Sequence, residues 1–303
     1  MIFVDLCIAG GFEISYALER WIVEHEDVTS SVSVHCRALC RVFRSARRWQ
    51  PHTLHEIRAA MQRPLLQYVG RPHPTQVTRV TYGGVNCIQV AGENPIFVVH
   101  GGGFVAGNWA GYGGYCNALA RISERGVVFI DYNTSQPHSE QVKQIAAVLE
   151  EARPSTVVAD SAGGHLTLCA YEDYGVAATQ KTILFSPVAD PRCISDSFVE
   201  NGNCYLENRC FGNDPVGEVM LNPTVTATLL QSITDRVACI VPPNTLVFAS
   251  ENELFADDAR LLERSGAEVC LDPAKPGGTF HAWPLWDIPE AEKTLQAALN
   301  PSS

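Results

Sequence analysis

Residues 94–108 read N-P-I-F-V-V-H-G-G-G-F-V-A-G-N. A short apolar run ends in His100, and Gly101, Gly102 and Gly103 follow without a break. A continuous run of β-branched and aromatic residues describes a strand buried on both faces, as in a parallel sheet covered by helices. Glycine loses more backbone freedom on folding than any other residue. Three in succession at the exit of such a strand therefore imply unusual dihedrals or bare backbone N–H groups. Downstream the pattern alternates. G-V-V-F-I-D-Y, S-T-V-V-A-D, K-T-I-L-F-S-P, N-T-L-V-F-A-S-E and A-E-V-C-L-D read as strands. Q-V-K-Q-I-A-A-V-L-E-E, G-G-H-L-T-L-C-A-Y and D-D-A-R-L-L-E-R-S-G read as helices, the last ending at Gly266. P-E-A-E-K-T-L-Q-A-A-L is a terminal helix with proline in its first turn. This alternation predicts an α/β fold with a mostly parallel central sheet and helices on both faces.

The first part of the chain differs. Residues 1–75 lack strand alternation and look helical, as in E-I-S-Y-A-L-E-R-W-I-V and L-H-E-I-R-A-A-M-Q. Arg37, Arg41, Arg44 and Arg48 recur as the wet face of an amphipathic helix. The turn-rich G-R-P-H-P at 70–74 marks a break. Q-V-T-R-V-T-Y and V-N-C-I-Q-V then flank Gly83-Gly84 as a β-hairpin. Residues 190–240 are irregular, with helical pieces. The expected organisation is an N-terminal helical cap segment, 1–75, and a catalytic domain, 76–303, with 190–240 as a second cap insertion.

With 303 residues, 46% apolar and 18% charged, the composition is that of a globular chain, and 303 residues fit one α/β domain with a cap. A net charge of −11 disfavours nucleic acid as a partner. The apolar N-terminus carries Asp5, has no basic segment and is too short to span a bilayer, so neither a secretory signal nor a stable membrane span is expected. Eleven scattered cysteines, an odd number, fit reduced thiols and a cytoplasmic setting. Neither Cys36 and Cys40 nor the looser Cys193, Cys204 and Cys210 set has histidines at zinc-site spacing, so no metal and no cofactor is expected. The partner is then a small molecule, and the chain a monomer or homodimer.

Reacting groups in open α/β sheets gather at the carboxyl ends of the strands. Ala159-Asp160-Ser161-Ala162-Gly163 follows a strand and opens a helix, with small residues two before and two after the serine. That fits a nucleophile elbow with the Ser161 hydroxyl at its tip. The N–H groups of Gly102, Gly103 and Ala162 are candidates for an oxyanion hole, each donor contributing about 3 kcal/mol to an acyl transfer. An acid is available in S-E-N-E-L-F-A-D-D, 250–258, and a histidine, His281, in T-F-H-A-W-P. Serine, acid and histidine in that order is the α/β-hydrolase arrangement. Singly, each feature has a plainer reading: Ser161 as a helix cap, His281 as a packed aromatic neighbour, Asp257 and Asp258 as complements to a helix dipole. Asp160 is expected to organise the elbow. Phe104, Trp109, Tyr132, Phe280 and Trp283 are candidates to line a substrate pocket.

Together these motifs resemble the hormone-sensitive-lipase-like carboxylesterase branch of the α/β-hydrolase superfamily, in its fungal form, over residues 76–303. H-G-G-G-F is similar to that branch's oxyanion motif and D-S-A-G-G-H-L to its serine motif. V-V-F-I-D-Y-N-T-S-Q-P, E-L-F-A-D-D and H-A-W-P match further segments. Ala159 replaces the first glycine of G-x-S-x-G. The resemblance implies Glu253 as the acid, where many relatives carry aspartate, with Glu251 and Asp257 as rivals. It implies a serine esterase that cleaves a short acyl group from a bulky small molecule through an acyl-enzyme. The alternatives are a non-hydrolytic cyclase or synthase working on a natural-product intermediate in secondary metabolism, and a receptor-like binding protein.

Overall fold

The computed structural model describes residues 13–18, 20, 32–46, 53, 55–56, 71–177, 179–206, 221–274 and 278–300. In chain order, helix α1 (Val34–Ala46) precedes the hairpin β1 (Val77–Tyr82) and β2 (Val85–Val90). Then come β3 (Ile96–Val99), α2 (Trp109–Ser123), β4 (Val127–Ile130), α3 (His138–Ala152), β5 (Thr156–Asp160), α4 (Ala162–Tyr174) and β6 (Lys181–Phe185). Helices α5 (Asp196–Leu206) and α6 (Pro223–Ile233) follow, and β7 (Thr245–Ser250), α7 (Ala256–Arg264), β8 (Glu268–Asp272) and α8 (Pro289–Leu299) complete the order.

The eight strands form one sheet in the order β1-β2-β4-β3-β5-β6-β7-β8. The β1–β2 and β2–β4 pairs are antiparallel and the remaining pairs parallel. Successive side chains of a strand point to opposite faces, and both faces here are buried. Phe97, Val99, Val128, Ile130, Val157 and Ala159 join one core with Ile145 of α3 and Leu166 of α4. Ile96, Val98, Val127, Phe129 and Val158 join another with Leu39 of α1, Leu119 of α2 and Leu295 of α8. This is why the central strands read as unbroken apolar runs. Among the described residues no helix is long and apolar enough to cross a membrane.

Helix α1 presents Cys36, Leu39 and Cys40 inward while Arg37, Arg41 and Arg44 stay partly exposed; Arg48 lies outside the described residues. The Cys36 and Cys40 thiols both donate to the Gly278 carbonyl, and Ser33 bonds Glu290 on α8 through its N–H and its hydroxyl. No disulfide joins any two of the nine described cysteines; Cys7 and Cys210 lie outside them. So do the apolar start of the chain, most of L-H-E-I-R-A-A-M-Q and residues 207–220 of the second insertion.

One sequence expectation needs correction. Asp258 does more than complement the dipole of α7. Its carboxylate is buried and accepts the Ala189 and Asp190 N–H groups at 2.7 and 2.8 Å, tying α7 to the loop after β6. Burial pushes its pKa up to about 8, against the pull of those two N–H groups, with Asp190 and Glu253 adding to the rise. The native carboxyl thus keeps its proton to about pH 8, while an unfolded one loses it near pH 4. Between those values the native state binds more protons, and stability falls as pH rises. An amide can accept the same two bonds without titrating. Asp258→Asn is therefore expected to gain stability relative to the native chain between pH 5 and pH 9, read as urea midpoints. A difference that stays constant over that range would show that this carboxyl ionises normally.

Candidate active site

Parallel strands β3, β5, β6 and β7 lie side by side, so their carboxyl ends deliver Gly101, Ser161, Ser186 and the Glu251–Glu253 segment to one edge of the sheet. Ser161 sits between β5 and α4 at φ 49°, ψ −123°. A non-glycine residue in such a region costs about 1–3 kcal/mol and persists only when its surroundings hold it. The holding groups are its own backbone: its N–H donates to the Phe185 carbonyl at 2.9 Å, and its carbonyl accepts from Gly164 and Val188, both at 3.1 Å. The elbow forms with Ala159 buried in the core beneath it. The Ser161 hydroxyl makes no capping bond to α4. It lies 2.9 Å from His281 Nε2 instead.

His281 Nδ1 is 2.6 Å from Glu253 Oε2. Glu253 is fully buried, and its second oxygen accepts from the Ser186 hydroxyl at 2.9 Å and the Ser250 N–H at 2.8 Å. The Ser186 hydroxyl in turn accepts the N–H of Ala282 at 2.9 Å. Ser186 therefore ties the acid to the histidine loop. The Asn201 amide of α5 donates to the Glu253 carbonyl at 2.8 Å. The two rival acids are engaged elsewhere: Glu251 pairs with Arg260, and Asp257 with Arg260 and the Ser197 N–H. Ser186, Ser250 and Asn201 escaped the sequence reading. Only the position of Ser186 directly after a buried strand hinted at it.

The glycine run packs against the elbow. Gly101 donates to Asp160 Oδ1 at 3.1 Å and to the Tyr112 hydroxyl at 3.0 Å, and Tyr112 donates to Asp160 Oδ2 at 2.8 Å. A Cβ on Gly101 would fall 2.4 Å from Asp160 Oδ2, so only glycine fits there. Burial raises the Asp160 carboxyl to about 6, opposed by the Tyr112 hydroxyl and the Gly101 N–H. Asp160 is thus an organiser of the elbow. Gly102 turns at φ 118°, accepting from Val105 and Ala106 through its carbonyl, and Gly103 follows at φ 57°. The Gly102 and Gly103 N–H groups reach no acceptor among the described residues. The Ala162 N–H, in the first turn of α4, has no partner within its helix.

The structure revises the pocket expectation. Phe104 has no exposed surface and stands edge-on to His138 and His165. Tyr132 is buried, stacks on His100 at 4.1 Å and donates to the His100 carbonyl at 2.8 Å. Phe280 is buried edge-on against Phe43 of α1 and Trp286. Trp283 is buried with its indole N–H on Thr294 of α8. These four are core residues because their ring faces are spent on packing. Trp109 is half-buried against His73 and Phe129.

A family model described as the alpha/beta hydrolase fold matches residues 96–281, from the first residue of β3 to the histidine of this site. The chain belongs to the α/β-hydrolase fold family. Solved structures of similar fold include an esterase/lipase from an uncultured bacterium, 20% identical over 87% of this chain and 95% of that one, with a TM-score of 0.66. A hormone-sensitive lipase from a metagenome library is 17% identical over 86% and 95% of the two chains, TM-score 0.67. An esterase of the bacterial hormone-sensitive lipase family is 17% identical over 96% and 98%, TM-score 0.62. Among curated proteins none matches. These neighbours share the chain's fold.

Proposed function

We propose that this α/β-hydrolase is a serine carboxylesterase working through an acyl-enzyme. The observation that carries this reading is the continuous relay from Ser161 Oγ to His281 Nε2 and from His281 Nδ1 to Glu253, with spacings of 2.9 and 2.6 Å. In this reading His281 takes the Ser161 proton as the hydroxyl attacks the ester carbonyl, then gives it to the departing alcohol. Glu253 holds the imidazole in the tautomer that leaves Nε2 free to accept, and stabilises the imidazolium. The N–H groups of Gly102, Gly103 and Ala162 receive the tetrahedral oxyanion. Water, activated by the same histidine, releases the acid and restores Ser161.

A short acyl group is favoured by what lies over the glycine run. Leu229 of α6 packs so closely on Gly103 that a Cβ there would fall 2.8 Å from its Cδ2. Leu229 also forms an apolar cluster with Val105 and Ala106, and Val225 and Ile233 pack against it. With Ser161 only 9% and His281 5% exposed, the reacting atoms are enclosed. A long acyl chain would have to displace α6. The alcohol is a small molecule, and α6 of the second insertion serves as part of the cap.

The test is a fluorophosphonate label followed by a p-nitrophenyl ester series from acetate to palmitate. The expected result is one label per chain, with kcat/KM highest at two to four carbons and falling with length. A preference for palmitate would overturn the short-acyl assignment. Labelling without turnover of any ester would redirect the reading to transfer onto an acceptor other than water.

A further inference from the structure

On the face of the sheet covered by α3 and α4, three ligand-type side chains converge. His138 is the first residue of α3, and His165 and Cys169 stand one turn apart on α4. The donor atoms of all three lie within 4.8 Å of one another. Spacing of four on a helix puts two side chains on one face, and the packing of α3 against α4 brings in the third. Phe104 closes the group, with its ring centroid 5.6 Å from that of His138 and 5.3 Å from that of His165.

The polar atoms in this group are left without partners. Both nitrogens of His165 are buried without a hydrogen bond, although the residue has no exposed surface, and so is Nε2 of His138. The Val188 backbone influences His165 but completes no hydrogen bond to it. Buried polar groups are nearly always satisfied, and one nitrogen from each of these rings beside a buried thiol makes the donor set of a soft metal ion.

We propose that His138, His165 and Cys169 form a buried three-coordinate site for Cu(I). Thiolate and imidazole together suit a soft ion. Charge decides between the candidates. Cu(I) with one thiolate and two neutral imidazoles is neutral overall, as a buried site requires. Zn2+ on the same ligands leaves a net positive charge in a buried group. Zn2+ also takes four ligands, and this group offers three. Ligand atoms bound at 2.0–2.3 Å stand about 3.5–4 Å apart, so side-chain adjustments of about 1 Å close the group on an ion.

Just above neutral pH an imidazole is mostly neutral and a thiol mostly protonated. Binding forms the Cu–S bond as the S–H proton leaves to solvent, one proton per ion. The histidines lend lone pairs, and no electron is transferred.

The experiment uses the purified full chain, reduced and anaerobic, titrated with the Cu(I) complex of bicinchoninate, with native mass spectrometry and pH-stat readouts. One Cu(I) retained per chain and about one proton released is the expected result, together with a rise in melting temperature. Cys169→Ala and His138→Ala should each weaken retention at least 100-fold and remove that rise. The double variant Cys36→Ala, Cys40→Ala should retain the ion. His138 is only partly buried, so its variant remains informative if Cys169→Ala fails to fold. Loss of the ion to the chelator by the native chain, retention unaffected by His138→Ala, retention abolished by the Cys36/Cys40 change, or a preference for Zn2+ would each overturn the proposal.

Discussion

Ser161→Ala should lower kcat/KM on p-nitrophenyl acetate by about 10⁴-fold or more, as expected for removing the nucleophile from a group that acts as a unit. Phosphonate labelling should vanish with it. The backbone at φ 49°, ψ −123° is as strained for alanine as for serine, and the bonds that hold it use only the Ser161 N–H and carbonyl. The elbow should therefore survive, and the melting temperature should stay within a few degrees of the native value. Activity lost with the fold intact separates chemistry from structure. A fully labelled Ser161→Ala protein would place the nucleophile elsewhere.

The second large effect is expected from Glu253→Gln. The carboxylate now accepts three bonds, from Ser186, from Ser250 and from His281 Nδ1. In glutamine the oxygen keeps the first two, and the –NH2 group faces Nδ1. Donor would meet donor unless the ring moves its proton to Nε2. That tautomer cannot accept the Ser161 proton, and kcat should fall by about 10⁴-fold with KM little changed. Glu253→Asp, shorter by one methylene, should recover part of the loss. Glu251→Gln and Asp257→Asn release only Arg260 and Ser197 contacts and should leave kcat within a few-fold of native. A loss in Glu251→Gln that matched Glu253→Gln would reassign the acid.

The central strands β3 to β7 were readable because both faces of the sheet are buried there, so most positions are apolar. The elbow and glycine run were readable because close approach excludes side chains, at Gly101 by direct overlap with Asp160. Helix α2 was not. G-Y-G-G-Y interrupts the apolar period, because Gly114 passes against the Arg71 carbonyl, which a Cβ would meet at 2.0 Å, and Gly113 against His73. Tertiary packing there overrides helix propensity. The aromatics beside the motifs misled in the opposite way. Proximity in sequence suggested a pocket, but a large ring next to a strand end is most stable when its faces are covered, and Phe104, Tyr132, Phe280 and Trp283 are all buried.

The sequence by itself determined the strands and most of the helices, the elbow and the order of serine, acid and histidine, since these follow from local periodicity and from steric limits that neighbouring residues impose on one another. The tertiary structure alone decided which of three acids faces His281, that Ser186 joins acid to histidine, that Leu229 lies on the glycine run, and that His138 meets His165 and Cys169. Each of these is a contact between residues distant in the chain, set by the strand order β3-β5-β6-β7 and the packing of helices on that sheet. No spacing in a linear sequence encodes such contacts, because the distance between two side chains depends on which strands become neighbours, and that choice is made by burial summed over the whole sheet.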